Sequence, residues 1–146
     1  MVYVGIDPGQ RGAMAVLGLE YKPSLIPFDK DGYIRTLKQI KEDYECVCCI
    51  EAVHAIAKQG LSSTWSFGVS YGWLLGMLDS IGIPYQPITP QKWKKEFGLT
   101  SDKALSIEAC KRLYPGINLL RTERSRKEDD GMAEAVLLGT YAKRHF

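Results

Sequence analysis

Apolar positions in the first part of the chain fall into short runs that predict strands. Residues 2–6 and 13–17 are almost wholly apolar and are joined by Pro, Gly and polar residues, so they predict a hairpin. Residues 22–28, which two prolines interrupt, predict an edge strand. A further apolar run over residues 46–50 predicts a buried strand that ends at Glu51.

Helical spacing dominates the rest of the chain. A short edge-like strand over residues 83–88 interrupts it. We expect five helices: 31–44 with Asp31 as N-cap, 64–80 with Thr64 as cap, 91–97 after Thr89 and Pro90, 101–113 with Ser101 as N-cap, and one from Asp129 or Asp130 to Lys143 whose buried face holds Met132, Val136, Leu137 and Tyr141. The order β-β-β-α-β-α-β-α-α-α predicts an α/β fold with a mixed central sheet flanked by helices.

Three glycines recur at regular spacing in the helix predicted over residues 64–80. Gly68, Gly72 and Gly76 stand at i, i+4 and i+8, which places them on one ridge of the helix. Each interior glycine costs about 1 kcal/mol relative to alanine, so the ridge indicates that something approaches closely. The sheet beneath the helix and the same helix of a second subunit are both open as the approaching surface.

The composition is that of an ordinary globular protein, with 45% hydrophobic and 25% charged residues. The 146 residues predict one domain spanning residues 1–146. No apolar run reaches about 18 residues and the first residues lack the basic region of a signal peptide, so we expect a cytoplasmic protein without a membrane span. Cys46 and Cys49 form a C-x-x-C inside an apolar strand, without a second ligand pair at zinc spacing, which predicts small buried residues.

The net charge of +2 hides an uneven distribution along the chain. Residues 92–127 carry 10 basic and 4 acidic side chains, whereas residues 1–91 and 128–146 are each net −2. A basic stretch followed at once by acids indicates a polyanion held beside carboxylates. A solvated surface of mixed charge would show the same counts, so motifs must decide between the two interpretations.

Four acids stand where they can converge. Asp7 and Glu51 each follow an apolar strand directly, and they would face each other if the two strands are neighbours in register. Asp130 and Glu134 are four residues apart on the last helix and point the same way. Carboxylates at a helix start are also favoured by the helix dipole alone, and Glu134 could instead face solvent.

Such a set of oxygen ligands suits Mg²⁺ or Mn²⁺ rather than zinc. Two such ions can drive hydrolysis of a phosphodiester, and the basic stretch would hold a nucleic-acid backbone. An actin-like phosphotransferase opens with similar turn chemistry, but it needs a second lobe that 146 residues do not supply.

The motifs also resemble those of a known family. The opening segment, residues 4–13, is similar to that of the RuvC-type Holliday junction resolvases, which belong to the RNase H-like nucleases, and the chain as a whole resembles their phage and prophage branch. The match runs from about residue 3 to residue 142, in order through residues 4–13, 49–51, 60–68, 71–72, 89–94, 102–106 and 130–135.

The resemblance implies metal ligands at Asp7, Glu51, Asp130 and Glu134. Two positions depart from the family pattern. Glu134 stands where the family often has Asp, and Asp129 stands where it often has His. Asp129 could therefore replace or supplement Asp130 as a ligand.

The implied activity is that of a structure-selective DNA endonuclease that cuts four-way junctions and related branched DNA with two Mg²⁺ ions per site, Mn²⁺ being possible, and no small-molecule cofactor. Symmetric cleavage implies a C₂ homodimer, with the glycine ridge as the candidate seam. The expected location is the cytoplasm of a bacterial or phage-infected host cell. Candidate DNA contacts are Lys92, Lys103, Arg121, Arg124, Arg126 and Lys127, together with Trp65 and Phe67 for stacking on unpaired bases; Trp65 could equally be core, and Trp73 and Trp93 are predicted to be core.

Two alternatives remain open. The chain could be an RNase H-like nuclease for another substrate, such as an RNA–DNA hybrid or a flap. It could also be a non-catalytic protein that binds branched DNA.

Overall fold

The computed structural model describes residues 1–55 and 58–146, and the order of its elements is the predicted one. The strands are β1 (Val2–Asp7), β2 (Ala13–Leu17), β3 (Ser24–Pro27), β4 (Cys46–Glu51) and β5 (Tyr85–Ile88), and the helices are α1 (Lys30–Asp43), α2 (Leu61–Ile81), α3 (Pro90–Glu96), α4 (Lys103–Leu113) and α5 (Asp130–His145). Among these residues, no helix combines the length and apolar character that a membrane crossing requires.

The five strands form one mixed sheet in the order β3-β2-β1-β4-β5. The pairs β1–β2 and β2–β3 are antiparallel, and the pairs β1–β4 and β4–β5 are parallel. The predicted mixed sheet is therefore confirmed. The strands that contain proline, β3 and β5, lie at the two edges, where a missing backbone N–H leaves no ladder bond unmade.

Helices cover both faces of the sheet. On one face α1 and α2 pack over Val4, Ile6 and Ile50, while α3, α4 and α5 pack on the other. Helix α5 is buried from Gly131 to Ala142, as a central helix between a sheet and other helices must be. Its predicted buried face is confirmed, since Met132, Val136, Leu137 and Tyr141 are each at most 3% exposed.

Two glycines allow α5 to lie directly on β1. A Cβ atom on Gly5 would overlap the carbonyl oxygen of Ala135 and the backbone nitrogen of Gly139, and a Cβ on Gly139 would press on Leu17. Only residues without side chains permit such a close approach of helix and strand backbones. This contact fixes where the first two turns of α5 sit relative to the end of β1.

The predicted N-caps of two helices are wrong by one or two residues. Asp29, not Asp31, caps α1 by accepting a hydrogen bond from the backbone nitrogen of Gly32 at 3.0 Å. Asp102, not Ser101, caps α4 in the same manner. In each case two residues with good capping side chains stand close together, and the backbone path decides between them.

Helix α2 begins three residues before the predicted start at Thr64. The extended backbone of Gly60 precedes Leu61 and serves as N-cap without a side-chain hydrogen bond. The helix ends at Ile81, followed by Gly82 in the left-handed conformation (φ 79°), which is the usual helix-ending glycine. Its buried residues are Leu74, Met77 and Leu78.

The glycine ridge of α2 faces away from the sheet. Gly68, Gly72 and Gly76 are all exposed, and a Cβ atom at any of them would meet no atom within 4 Å. The alternative in which the glycine ridge packs against the sheet is therefore wrong. Packing against a second subunit stays a prediction.

Candidate metal centre

Three carboxylates from three elements meet at one end of the sheet. Asp7 ends β1 and Glu51 ends β4, and the parallel register that pairs Ile6 with Ile50 makes these acids neighbours. Glu134 reaches them from α5, and one oxygen of each carboxylate lies within 4.8 Å of the others. The structure therefore brings together side chains that are 44 and 83 residues apart in the chain.

The start of α5 is packed tightly against the end of β1. A Cβ atom on Gly131 would lie 2.6 Å from the carbonyl oxygen of Arg11 and 3.0 Å from Oδ2 of Asp7. Glycine is thus required here for the first turn of the helix to reach the strand end. Glu134, one turn later, is only 9% exposed, so the alternative in which it faces solvent is wrong.

Burial acts on all three carboxyl groups, and repulsion from neighbouring acids acts on Asp7 and Glu134. Burial raises the pKa of Asp7 well above its usual range, and the nearby charges of Glu134, Glu51 and Asp130 raise it further. Burial also raises the pKa of Glu51 and that of Glu134, although Lys94 offsets part of the effect in both. Three partly desolvated acids this close carry an electrostatic cost that a cation would remove.

Two of the three carboxylates have neighbours that hold them. Glu51 accepts a hydrogen bond from Nε1 of Trp93 at 2.8 Å. Glu134 accepts one from the Ser106 hydroxyl at 3.3 Å and lies 3.8 Å from the ammonium group of Lys94. The third carboxylate, at the end of β1, accepts no side-chain hydrogen bond from the described residues, which leaves its oxygens free for a ligand.

This donor set fits a hard divalent cation. All three ligands are carboxylate oxygens, the type that Mg²⁺ and Mn²⁺ prefer, and among the described residues no cysteine or histidine belongs to the cluster. A divalent ion would offset the repulsion between acids that helps to raise the pKa values of Asp7 and Glu134. The residues present therefore suit the predicted metal.

The two acids at the start of α5 have different surroundings. Asp130 is not one of the three clustered carboxylates; its Oδ2 lies 3.4 Å from Nζ of Lys103 at the edge of the same site. Asp129 is the N-cap of α5, and its oxygens accept hydrogen bonds from the backbone nitrogen of Met132 and from Arg121. Burial raises the pKa of Asp129, but these hydrogen bonds outweigh it and the net pKa is lowered.

The occupied oxygens of Asp129 argue against its replacing Asp130 as a ligand. Asp130 remains the better candidate, because among the described residues its side chain is paired only with an exposed lysine.

An open cleft of about 680 Å³ lies beside the carboxylates. The turn after β1, the first half of α2 and the starts of α4 and α5 line it. Helix α2 presents a row of hydroxyl groups there, and Phe67 lies half-buried against Gly9 in the turn. Arg11 and Lys103 add positive charge, but four acids also line the cleft, so a phosphate backbone would fit it only with cations bound at the carboxylates.

The predicted DNA contacts lie in different surroundings. Lys103 lines the cleft, and its side chain is 77% exposed. Lys92 lines a separate groove beside Tyr141, so the structure does not bring it to the carboxylates. Three cations in the segment before α5 are exposed and form no ion pair among the described residues: Arg124, Arg126 and Lys127. Arg121 forms a salt bridge with Asp129 and is therefore not a free cation.

The aromatic residues separate into exposed and buried ones. Trp65 is 76% exposed, so the alternative that places it in the core is wrong. Trp93 is fully buried, as predicted. Trp73 is half-buried and packs edge-on against Phe28 at the margin of the core.

Sequence reasoning missed the groups that hold the carboxylates. Trp93 was predicted to be core only, Lys94 was counted with the general basic stretch, and Ser106 was not considered. One signal was available, because a buried indole N–H nearly always has a hydrogen-bond partner. The identity of that partner could not be read from a chain in which Trp93 and Glu51 are 42 residues apart.

No family model matches this chain, and no curated protein sequence matches it either. Solved structures do. The structure described as T. thermophilus RuvC in complex with Holliday junction substrate is 16% identical, with 99% of this chain and 97% of that chain covered and a TM-score of 0.61. A second Thermus thermophilus RuvC structure is 17% identical, with 95% and 91% covered and a TM-score of 0.58. The protein therefore has the RuvC-like, RNase H-like fold.

Proposed function

We propose that this protein is a metal-dependent endonuclease that cleaves branched DNA, with the four-way junction as its main substrate. The observation that carries the proposal is the meeting of Asp7, Glu51 and Glu134 within 4.8 Å of one another beside an open cleft. The RuvC-like fold supports it, since a similar structure is described as a complex with Holliday junction substrate. The order of motifs, which resembles that of the phage and prophage branch, is consistent with it.

The three carboxylates, with Asp130 at the edge, would bind two divalent ions, Mg²⁺ or Mn²⁺. Bound ions of this kind activate water and stabilise the leaving oxygen of a phosphodiester. The protein itself holds the ligands: β1 and β4 present two of them from a rigid sheet, and α5 presents the third. Lys94 lies 3.8 Å from Glu134, where it moderates the negative charge of the site.

The DNA would enter along the cleft and continue over the basic segment before α5. Lys103 lines the cleft, and Arg124, Arg126 and Lys127 are exposed for phosphate contacts. The exposed indole of Trp65 offers a stacking surface for an unpaired base near the branch point, worth about 1–3 kcal/mol.

Cutting two opposed strands of a junction symmetrically calls for a homodimer with two sites. The outward face of α2 is the surface we assign to this contact. It carries the glycine ridge, with Val69 57% exposed beside it, and it has no charged side chain before Asp79. Each subunit would be one nuclease domain, and the dimer would act in the cytoplasm of a bacterial or phage-infected cell.

The decisive experiment is cleavage of a synthetic four-way junction with and without Mg²⁺. Wild type should cut only with the metal. Asp7→Asn should spare binding but lower the rate by at least about a thousandfold, because a metal contributes several kcal/mol to the transition state and each 1.4 kcal/mol is a factor of ten. Asp31→Asn, an exposed acid on α1, is the matched control and should cut normally. Binding without cleavage by wild type would favour the non-catalytic alternative.

Substrate choice is tested with a panel of labelled junctions, flaps and RNA–DNA hybrids. Faster cleavage of flaps or hybrids than of junctions would replace the junction with that substrate. The metal-dependent nuclease proposal itself would survive that result.

A further inference from the structure

The indole of Trp93 contacts one carboxylate of the candidate metal centre. It is fully buried in a cluster that includes Cys49 of β4, Ile88 of β5 and Leu137 of α5. Helix α3, which carries it, is anchored at its start by the side chain of Thr89. A ring enclosed by three elements cannot turn without displacing core side chains, so its position is rigid.

The one polar atom of this ring points at a candidate ligand. Nε1 of Trp93 donates a hydrogen bond to Oε2 of Glu51 at 2.8 Å, a length typical of a bond to a charged acceptor. A glutamate side chain has several rotatable bonds and loses entropy when a metal fixes it. A donor on a rigid ring restricts that rotation before any ion arrives.

The kind of donor also matters. Glu134 is held partly by the charged ammonium of Lys94, which competes with a cation for the carboxylate. Trp93 is neutral, so it orients Glu51 without adding a positive charge that would compete with the ion. Groups of this kind, one step removed from the metal, typically change metal affinity by 10–100-fold when lost.

We propose that Trp93 is a positioning residue that orients the Glu51 carboxylate for a divalent cation through its Nε1–H. This inference rests on the proposed function, because it assumes that Glu51 is a metal ligand. It assigns to a core tryptophan a second task that its burial alone does not require.

The test is Mn²⁺ binding to the DNA-free protein, measured by calorimetry. Trp93→Phe keeps an aromatic ring but removes the donor, and it should weaken Mn²⁺ binding by about 10–100-fold. Trp73→Phe makes the same change at an indole outside the site and should bind like wild type. In a Glu51→Gln background, Trp93→Phe should cause no further loss, whereas a general packing defect would still add one.

A second measurement applies even if Trp93→Phe fails to fold. With Trp65 and Trp73 both replaced by Phe, Trp93 is the only indole, and Mg²⁺ at calorimetric saturation should shift its emission. An unchanged spectrum would overturn the inference, as would unchanged Mn²⁺ affinity in a folded Trp93→Phe protein. If wild type itself binds no Mn²⁺, it is the metal site of the proposed function that fails.

Discussion

The guanidinium group of Arg121 forms a bidentate salt bridge with the carboxylate of Asp129. Nε donates to Oδ2 at 3.0 Å and Nη2 donates to Oδ1 at 2.9 Å, and the same group also donates to the backbone carbonyls of Arg11 and Gly12. One side chain thus ties the segment before α5 to the turn that follows Asp7. Arg121 is therefore a structural support of the candidate metal centre, although the sequence predicted a phosphate contact.

Arg121→Ala should lower the free energy of unfolding by about 2 kcal/mol, because it removes several hydrogen bonds to a charged group and leaves Asp129 unpaired. Arg121→Lys should not restore the loss, since an ammonium cannot make the bidentate salt bridge. Urea denaturation measures both. Arg124→Ala, at an exposed site, should stay within about 0.5 kcal/mol of wild type, and equal losses at both sites would contradict the assignment.

Asp7→Asn should stabilise the metal-free protein at neutral pH by about 1–2 kcal/mol, since it removes a carboxylate crowded by Glu51, Glu134, Asp129 and Asp130. A raised pKa means that the folded state binds protons more tightly than the unfolded chain. Stability contributed in this way is present near about pH 4 and is lost as the pH rises through the raised values. Thermal unfolding in chelator, from about pH 5 to about pH 8, should show that decline in wild type and a weaker one in Asp7→Asn.

Added Mg²⁺ should make wild type more stable than Asp7→Asn, because an ion that binds only the folded state stabilises wild type more than the variant. A wild type that gains no stability from Mg²⁺ would contradict the metal assignment.

Asp129 gives an internal check, because its effect on stability has the opposite pH dependence. Its pKa is lowered, so its contribution is present above about pH 4 and is lost as the pH falls below its usual pKa.

Gly72→Ala should weaken self-association by roughly 5- to 150-fold, because a methyl group in a closely packed seam costs about 1–3 kcal/mol. In the isolated subunit the same change should add about 1 kcal/mol of stability, since nothing within 4 Å opposes the new Cβ atom. Sedimentation over a concentration series measures the first effect. Gln39→Ala on α1 is the control for a surface helix change, and a wild type that stays monomeric throughout would rule out the seam.

Arg126→Ala and Lys127→Ala should each weaken junction binding and reduce the steepness of its salt dependence by about 0.9 in the log–log slope, as the loss of one phosphate contact does. Fluorescence anisotropy in chelator, across a salt series, measures this without cleavage. Arg35→Ala removes an exposed arginine from α1, on the opposite face of the sheet from α5, and should leave the slope unchanged. Equal slopes for all variants would place the DNA elsewhere.

The order of strands and helices and the strand-end positions of Asp7 and Glu51 could be predicted without the structure. Both follow from local patterns, because the side-chain periods of strands and helices are properties of a few consecutive residues. Helix starts were less certain, since neighbouring residues such as Ser101 and Asp102 are equally good caps.

Which side chains meet became clear from the three-dimensional packing of the elements. The parallel register of β1 and β4 and the contact of Gly5 with α5 place Glu134 beside Asp7 and Glu51. Packing of other segments brings Trp93 to Glu51 and Arg121 to Asp129. Each of these pairs depends on packing between elements, and the local sequence around each residue does not predict its partner. Contacts across a fold are set by how whole elements dock, which is why the same local patterns left these pairings open.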